Sequence, residues 1–313
     1  MTDRELAYVI AIAEERNVTH AAERLHLAQP SLTQTLRKIE GELGCELFVR
    51  RKYGLDPTEA GMLYLQMARE ILERVDRFQE DLSKLKNPFS GRLTLGASWY
   101  NTLLFLSDII PELNLRFPQV ELSLVEKGTN DLMNLFSNHE LDLFLAHEYP
   151  KSFARVRRKL SKETACRRLM DEPFLLVAHR KYDLSGLSSE GCADIRRLGA
   201  YPFISFNANQ RIRNITDSAF EQAGIVTRKV VMTQSFPGAM SLAERGVGLC
   251  VLPAFYVRRN IGDKPDLLSY AIDPRWNAYW STCVYYRQGE APDPLIQSVV
   301  SILIDAAQQL EDR

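Results

Sequence analysis

Gln29, Pro30, Ser31, Thr33 and Gln34 follow directly on Ala21-Ala22-Glu23-Arg24-Leu25-His26-Leu27-Ala28, a run of mostly small and apolar side chains near the start of the chain. Hydroxyls and carboxamides of this size reach base edges in a major groove, where they both donate and accept. Pro30 adds an apolar face that packs on a thymine methyl. Arg37, Lys38, Arg50, Arg51 and Lys52 supply charge of the kind that phosphates attract, and the Thr58 hydroxyl is a further candidate contact. Ordinary helix-surface polarity would also put Thr33 and Gln34 outward, and a basic run alone is often just a solvated face. Their closeness in the chain points to duplex DNA.

The elements that must position these groups follow from hydrophobic spacing. Leu6, Val9, Ile10 and Ala13 recur at helical intervals. Asn17 and Thr19 end that helix and cap the next, His20 to Leu25, whose Ala21 and Ala22 allow close packing. His26 and Leu27 form a turn, and Pro30 suits the first turn of a third helix because its missing N–H is an orphan donor there anyway. Leu32, Leu36, Ile39 and Leu43 stripe the inner face of this helix, leaving Thr33, Gln34, Arg37 and Lys38 outside. Gly44 stops it. Leu47-Phe48-Val49 reads as a strand, and Arg50 to Leu55 turns around Gly54 as a basic wing. Thr58 caps a long helix from about Glu59 to Lys86. Leu65, Ala68, Leu72, Val75, Gln79 and Leu82 give it a heptad-like seam, which predicts pairing with a second copy over packing on its own domain.

Asn87-Pro88-Phe89-Ser90-Gly91 is a linker. Beyond it, strands and helices alternate. Arg92–Gly96, Val120–Val125 and Leu141–Leu145 read as strands, with helices over Leu103–Phe117 and Asp131–Asn138 between them. A second set begins at Phe174–Ala178 and runs through Phe203–Phe206, a helix over Thr216–Ala223, Lys229–Thr233, a helix over Ala239–Glu244, and Gly248–Val251. A strand over Ser281–Tyr286 and a helix over Pro294–Leu310 close the chain. The pattern implies two α/β lobes with parallel strands and a cleft between them.

Bulk properties bound the rest. A chain of 313 residues suits two or three domains, and 45% hydrophobic with 25% charged residues makes ordinary cores. No apolar run reaches the roughly 20 residues that span a bilayer, and Met1-Thr2-Asp3-Arg4-Glu5-Leu6 does not open a signal peptide, so a cytoplasmic location without membrane contact is expected. The five cysteines are odd in number and widely spaced, which argues against a disulfide framework or zinc site; a redox pair such as Cys166 with Cys192 stays open. Net charge is −1, so DNA contact must rest on a local basic surface. Gly-x-Ser-x-Gly, Walker and His-Glu-x-x-His motifs are absent, and Gly246-Val247-Gly248 precedes a strand, whereas a dinucleotide fingerprint follows one. An enzyme is not expected.

These residues resemble the LysR-type transcriptional regulators across essentially the whole chain. Ala21-Ala22-Glu23-Arg24-Leu25-His26-Leu27-Ala28-Gln29-Pro30-Ser31-Leu32, Ile39-Glu40, Glu42-Leu43-Gly44, Leu47-Phe48, Arg50 and Thr58-Glu59-Ala60-Gly61 stand at the family's spacing. Phe117-Pro118-Gln119-Val120, Glu140-Leu141-Asp142, Gly246-Val247-Gly248 and Leu252-Pro253 match more loosely. The resemblance implies a winged helix-turn-helix over 1–58, a linker helix over 59–90, and a periplasmic-binding-protein-like α/β effector domain over 91–313. Its first lobe would hold about 91–165 and 270–313, its second about 166–269, with two crossing strands as the hinge.

It also implies partners: double-stranded promoter DNA, a small-molecule effector, RNA polymerase, and further copies of the chain in a homodimer or homotetramer. No cofactor or metal is implied, and His147 has no His or carboxylate partner at ligand spacing. The effector would lie between the lobes, met by Ser98, Trp99, Tyr100, Asn101 and Thr102, by Thr129 in the Gly128-Thr129-Asn130 loop, and by His147 past the third strand. Ser205, Phe206, Asn207 and Phe236 would face them. Helix N-termini there favour an anion, and the aromatics a planar ligand, unless they only fill an inter-lobe contact. The alternative is a DNA-binding regulator whose second part only oligomerises.

Three departures from the family stand out. Ala28 replaces a common N-cap Ser at a typical cost of about 1 kcal/mol. Ser31, with Gln34 three residues on, is a candidate substitute cap. Gln34 lies where the family often has Arg, and an amide favours adenine. Pro57 replaces an apolar residue and stiffens the approach to the long helix.

Overall fold

The first helix, α1 (Asp3–Glu15), opens on a capping box: the Glu5 amide donates to the Thr2 hydroxyl and the Thr2 amide to the Glu5 carboxylate. Asn17 caps α2 (Val18–Arg24) by accepting from the amides of Thr19 and His20. His26 turns the chain at φ 54°, and α3 (Gln29–Leu43) begins at Ala28 with no side-chain capping bond. Ser31 is therefore not a substitute cap. Its amide donates to the Ala28 carbonyl inside the first turn, whose need for a cap is reduced because Pro30 carries no N–H. Gly44, at φ 71°, ends the helix. Leu32 and Ile39 are buried as expected and Leu36 half-buried, but Leu43 is 48% exposed because the chain leaves the helix just beyond it.

The wing is a two-stranded antiparallel hairpin, β1 (Phe48–Arg51) and β2 (Gly54–Pro57). It is fastened to the end of α1: the Leu55 amide donates to the Arg16 carbonyl at 2.8 Å, and Arg16 pairs with Asp56. A Cβ at Gly54, where φ is 129°, would sit 2.6 Å from that carbonyl, so this turn needs glycine. Thr58 caps α4 (Glu59–Lys86), accepting from the Gly61 amide at 3.0 Å. Tyr64, Leu65 and Ala68 join the core built on Leu6, Val9, Ile12, Ala21, Ala22 and Leu32. The early part of the expected seam thus packs on its own domain, while Phe78 and Leu82 farther along are exposed.

The computed structural model describes residues 2–311 except 53, 150–155, 157–158, 183, 185–187, 190–191 and 290–291. The chain divides into two compact units, Met1–Asn87 and Pro88–Arg313.

In the second unit, β3 (Gly91–Ala97) leads to a helix that runs as α5 (Trp99–Asn101), a π-helical turn (Thr102–Leu106) and α6 (Ser107–Arg116). Then come β4 (Val120–Glu126), α7 (Thr129–Ser137), β5 (Leu143–Glu148) and the 16-residue β6 (Thr164–His179). Two short strands, β7 (Ser188–Ser189) and β8 (Cys192–Ala193), precede β9 (Pro202–Phe206), α8 (Arg211–Gln222), β10 (Arg228–Thr233) and α9 (Phe236–Glu244). The chain finishes with β11 (Cys250–Pro253), α10 (Ala254–Asn260), β12 (Leu267–Ile272), β13 (Tyr279–Arg287) and α11 (Pro294–Glu311).

The first lobe has the strand order β4-β3-β5-β13-β6. All six residues of β5 are buried, because the π-helical turn, α6 and α11 cover one face of the sheet and α7 the other. The hinge is β6 itself. It pairs with β13 as far as Pro173, then with β11 from Phe174 and with β12 beyond. In the second lobe β9 and β10 are parallel and join β11 through a bridge between Phe203 and Leu249. The change of lobe therefore falls at Pro173, and β12 lies with the second lobe up to Ile272.

Candidate nucleic-acid face and interlobe cavity

On α3, Gln29, Pro30, Ser31, Gln34, Arg37 and Lys38 are exposed and Thr33 is half-buried. The Gln29 side-chain Nε2 donates to the Thr33 hydroxyl at 2.9 Å, one turn apart on the outer face. Arg50 and Arg51 stand exposed where the wing turns. Two expected phosphate contacts are otherwise engaged. Lys38 bridges to Glu5 of α1 at 2.9 Å, which holds the Glu5 carboxyl at about 2, chiefly through that bond. The Thr58 hydroxyl gives its only proton to the Glu46 carbonyl at 2.7 Å, so it has no hydrogen left to donate to a phosphate.

A cavity of about 600 Å³ opens between the lobes at the carboxyl ends of β3, β4 and β5, within the range of small-molecule sites. Of the residues expected to meet an effector, Ser98, Trp99, Tyr100, Thr129, His147 and Phe236 line it. His147 lies inside β5 instead of past its end. Ser98 caps α5 by accepting from the Asn101 amide at 3.3 Å, which sets Trp99 and Tyr100 on the cavity wall. Trp99 meets Phe236 edge-on with ring centres 5.1 Å apart.

Asn101, Thr102, Ser205, Phe206 and Asn207 do not line the cavity. Asn101 is wholly buried, and the Thr102 hydroxyl turns back to the Ser98 carbonyl. Arg213 holds the end of β9 away from the cleft, donating to the Ser205 hydroxyl at 2.9 Å and the Phe206 carbonyl at 3.0 Å. Phe206 packs edge-on against Phe236, and the Asn207 amide donates to the Thr233 carbonyl.

The second lobe instead presents Asn209 and Gln210, which lead into α8, and Arg211, Ile212 and Asn214 of its first turn. Placing that helix at Thr216 hid them; Ile212, Ile215 and Ala219 at helical spacing are the signal that would have found it. Glu126, Lys127, Asp131, Lys159, Tyr149 and Trp280 complete the wall.

The electrostatics are uneven. Neither α7 nor α8 has a side-chain capping bond, so both N-termini present amides and positive dipole ends at the cavity. Arg211 reaches across the lobes to Glu148 at 3.2 Å. His147 stacks on Trp280 with ring centres 3.8 Å apart and planes 18° apart. Burial, with Arg211 nearby, holds its imidazole down to about 3, so it is neutral at pH 7. Behind the wall, Glu172 accepts from the Tyr100 hydroxyl at 2.6 Å, the Trp280 indole at 2.8 Å and the Phe255 amide at 2.9 Å. Burial pushes its carboxyl up to about 7 despite those bonds. Among the described residues no group of three His, Cys, Asp or Glu side chains could hold a metal, and no helix is long and apolar enough to cross a membrane.

A winged helix-turn-helix on one unit and a two-lobed α/β fold around a cleft on the other define a class of DNA-binding transcriptional regulator. A model of the LysR substrate binding domain matches residues 86–308, and one of the bacterial regulatory helix-turn-helix protein, lysR family, matches 4–62. The chain belongs to the LysR family, whose members are regulators and not enzymes. It is 26% identical to the nitrogen assimilation regulatory protein nac of Escherichia coli K12 over 307 residues, 96% of each chain. It is 27% identical to the HTH-type transcriptional regulator BsdA of Bacillus subtilis 168 over 294 residues, 89% of this chain and 96% of that one. Full-length CbnR complexed with its target DNA has the same fold, with a TM-score of 0.71 at 21% identity over 98% of this chain and 100% of that one.

Proposed function

We propose that this LysR-type regulator binds promoter DNA through α3 and the wing, and that a small anionic or planar aromatic metabolite in the interlobe cavity modulates that binding. One observation carries the ligand reading: Lys127, Lys159, Arg211 and the uncapped N-termini of α7 and α8 converge on a cavity walled by Trp99, Tyr100 and Phe236. Cations and amides fix the anionic group, while the rings take the planar part. Gln29, Ser31, Thr33 and Gln34 read bases, with Gln34 preferring adenine; Pro30 packs on thymine, and Arg37, Arg50 and Arg51 hold phosphates.

The protein acts in the cytoplasm as a homodimer or homotetramer and contacts RNA polymerase at its promoters. The exposed Phe78 and Leu82 of α4 support pairing between copies. An effector can shift the assembly only through unequal affinity for its arrangements. The test is a thermal-shift screen of carboxylates, phenols and amino acids on the full chain, followed by footprinting with and without each hit. Stabilisation together with an altered footprint supports the reading. No stabilisation across the screen favours a second part that only oligomerises.

A further inference from the structure

Glu172 occupies an unusual place. It is 0% exposed and lies one residue before Pro173, where β6 passes from one lobe to the other. Its three donors come from both lobes. Tyr100 and Trp280 are cavity-wall side chains, on α5 of the first lobe and on β13. Phe255 donates its backbone amide from the first turn of α10, whose Tyr256 and Val257 belong to the second-lobe core while the Phe255 ring packs on the first. A first-turn amide has no partner within its own helix, and α10 has no side-chain capping bond, so the carboxylate is what satisfies it. Tyr100 and Phe255 share one carboxylate oxygen, and Trp280 takes the other.

We propose that Glu172 is the positioning residue of the hinge: it ties the cavity wall at Tyr100 and Trp280 to α10, so that what presses on the wall is felt in the second lobe. This rests on the reading of the cavity as an effector site. The coupling to the Phe255 amide runs through the shared oxygen, while the neighbouring Tyr256 amide of α10 acts on the Tyr100 hydroxyl directly. Removing the Tyr100 hydroxyl leaves a wholly buried carboxylate with one donor fewer. The charged form then becomes costlier, the carboxyl takes up a proton more readily, and it is a weaker acceptor for the Phe255 amide. Arg258 on α10 is the cation whose field acts on the same carboxyl.

The test is residue-resolved amide hydrogen exchange on the full-length protein and its Tyr100→Phe variant at pH 7. The Phe255 amide should exchange about tenfold faster in the variant, the equivalent of one hydrogen bond to a charged acceptor, while the amides of Cys250–Leu252 keep their rates. Glu172→Gln alone should accelerate Phe255 at least as much, and Tyr100→Phe added to it should accelerate it no further. Phe255 exchange in Tyr100→Phe within twofold of wild type overturns the proposal, as does a double variant in which the two effects multiply. If Glu172→Gln does not fold, Tyr100→Phe decides alone. The experiment needs no ligand. A cavity that binds none of the screened compounds while this coupling persists sinks only the effector reading, and binding without the coupling sinks only the hinge.

Discussion

Two buried groups, His147 on the cavity wall and Glu172 behind it, should give the second unit opposing dependences on pH. Glu172 rises from an ordinary 4.5 to about 7. A raised carboxyl favours the protonated folded state, so its stabilisation is complete below pH 4.5 and is lost as pH climbs to 7. Two and a half units at 1.36 kcal/mol each come to about 3 kcal/mol. His147 falls from 6.5 to about 3. A depressed imidazole favours the neutral folded state, so its stabilisation is complete above pH 6.5 and is lost on acidification towards 3, about 5 kcal/mol in all. Between pH 4.5 and 6.5 the folded state holds one proton more at Glu172 and one fewer at His147 than the unfolded chain, and the two slopes of about 1.4 kcal/mol per pH unit cancel. Single variants uncover them. Urea unfolding of the full chain, followed by tryptophan fluorescence, reports this unit because Trp99, Trp276 and Trp280 all lie in it. The stability of wild type minus Glu172→Gln should fall by about 3 kcal/mol from pH 4.5 to 7. Wild type minus His147→Phe should rise by about 3 kcal/mol from 4.5 to 6.5. Two differences that stay flat with pH would refute the reasoning, and equal signs would refute the assignment.

Other perturbations address the first unit and the thiols. Ala28 has the extended backbone of an N-cap (φ −72°, ψ 128°), so Ala28→Ser should stabilise the first unit by about 0.5–1 kcal/mol, read as a higher urea midpoint with an unchanged m-value; an unchanged or lower midpoint contradicts this. Arg50→Ala should weaken binding to all duplexes alike and flatten the salt dependence by about one phosphate contact, whereas equal affinity at several salt concentrations removes Arg50 from the interface. Burial pushes the Cys250 thiol up to about 12, and the bond with Cys166, helped by burial, raises Cys283. Both should resist iodoacetamide at pH 8 in the folded protein while the exposed Cys45 reacts, and labelling of Cys250 at the rate of Cys45 would show that this core opens.

The DNA-contacting half was legible because local rules decide it. Asn17 as a cap, Gly44 as a stop, Pro30 in a first turn and the Leu32–Ile39 spacing each act within a few residues, and each acts so in the structure. Leu43 misled because helical spacing carries no information about where the covering partner ends. Lys38 and Thr58 have partners in the structure that the sequence did not announce, for a related reason. A charge or hydroxyl is judged free from its neighbours in the chain, but Glu5 and the Glu46 carbonyl, which claim them, are 33 and 12 residues away.

The cavity was legible only on the first-lobe side, where strand, loop and helix follow one another closely. In the second lobe the wall depends on where α8 begins, and that start is fixed by tertiary packing of Ile212 and Ile215 instead of by a cap. The hinge came only from the resemblance, and the residues themselves did not announce its strand. Thr164 to Glu172 includes Arg167, Arg168, Asp171 and Glu172, a composition that reads as a surface turn. It is a strand because β13 covers it over eight residue pairs, which supplies the ladder bonds that its own side chains do not call for. A carboxylate is tolerated at its centre only because donors 72, 83 and 108 residues away converge on it. A residue costly to bury, and satisfied solely by distant groups on both lobes, cannot be placed by local pattern. The same circumstance makes it sensitive to how those lobes are arranged.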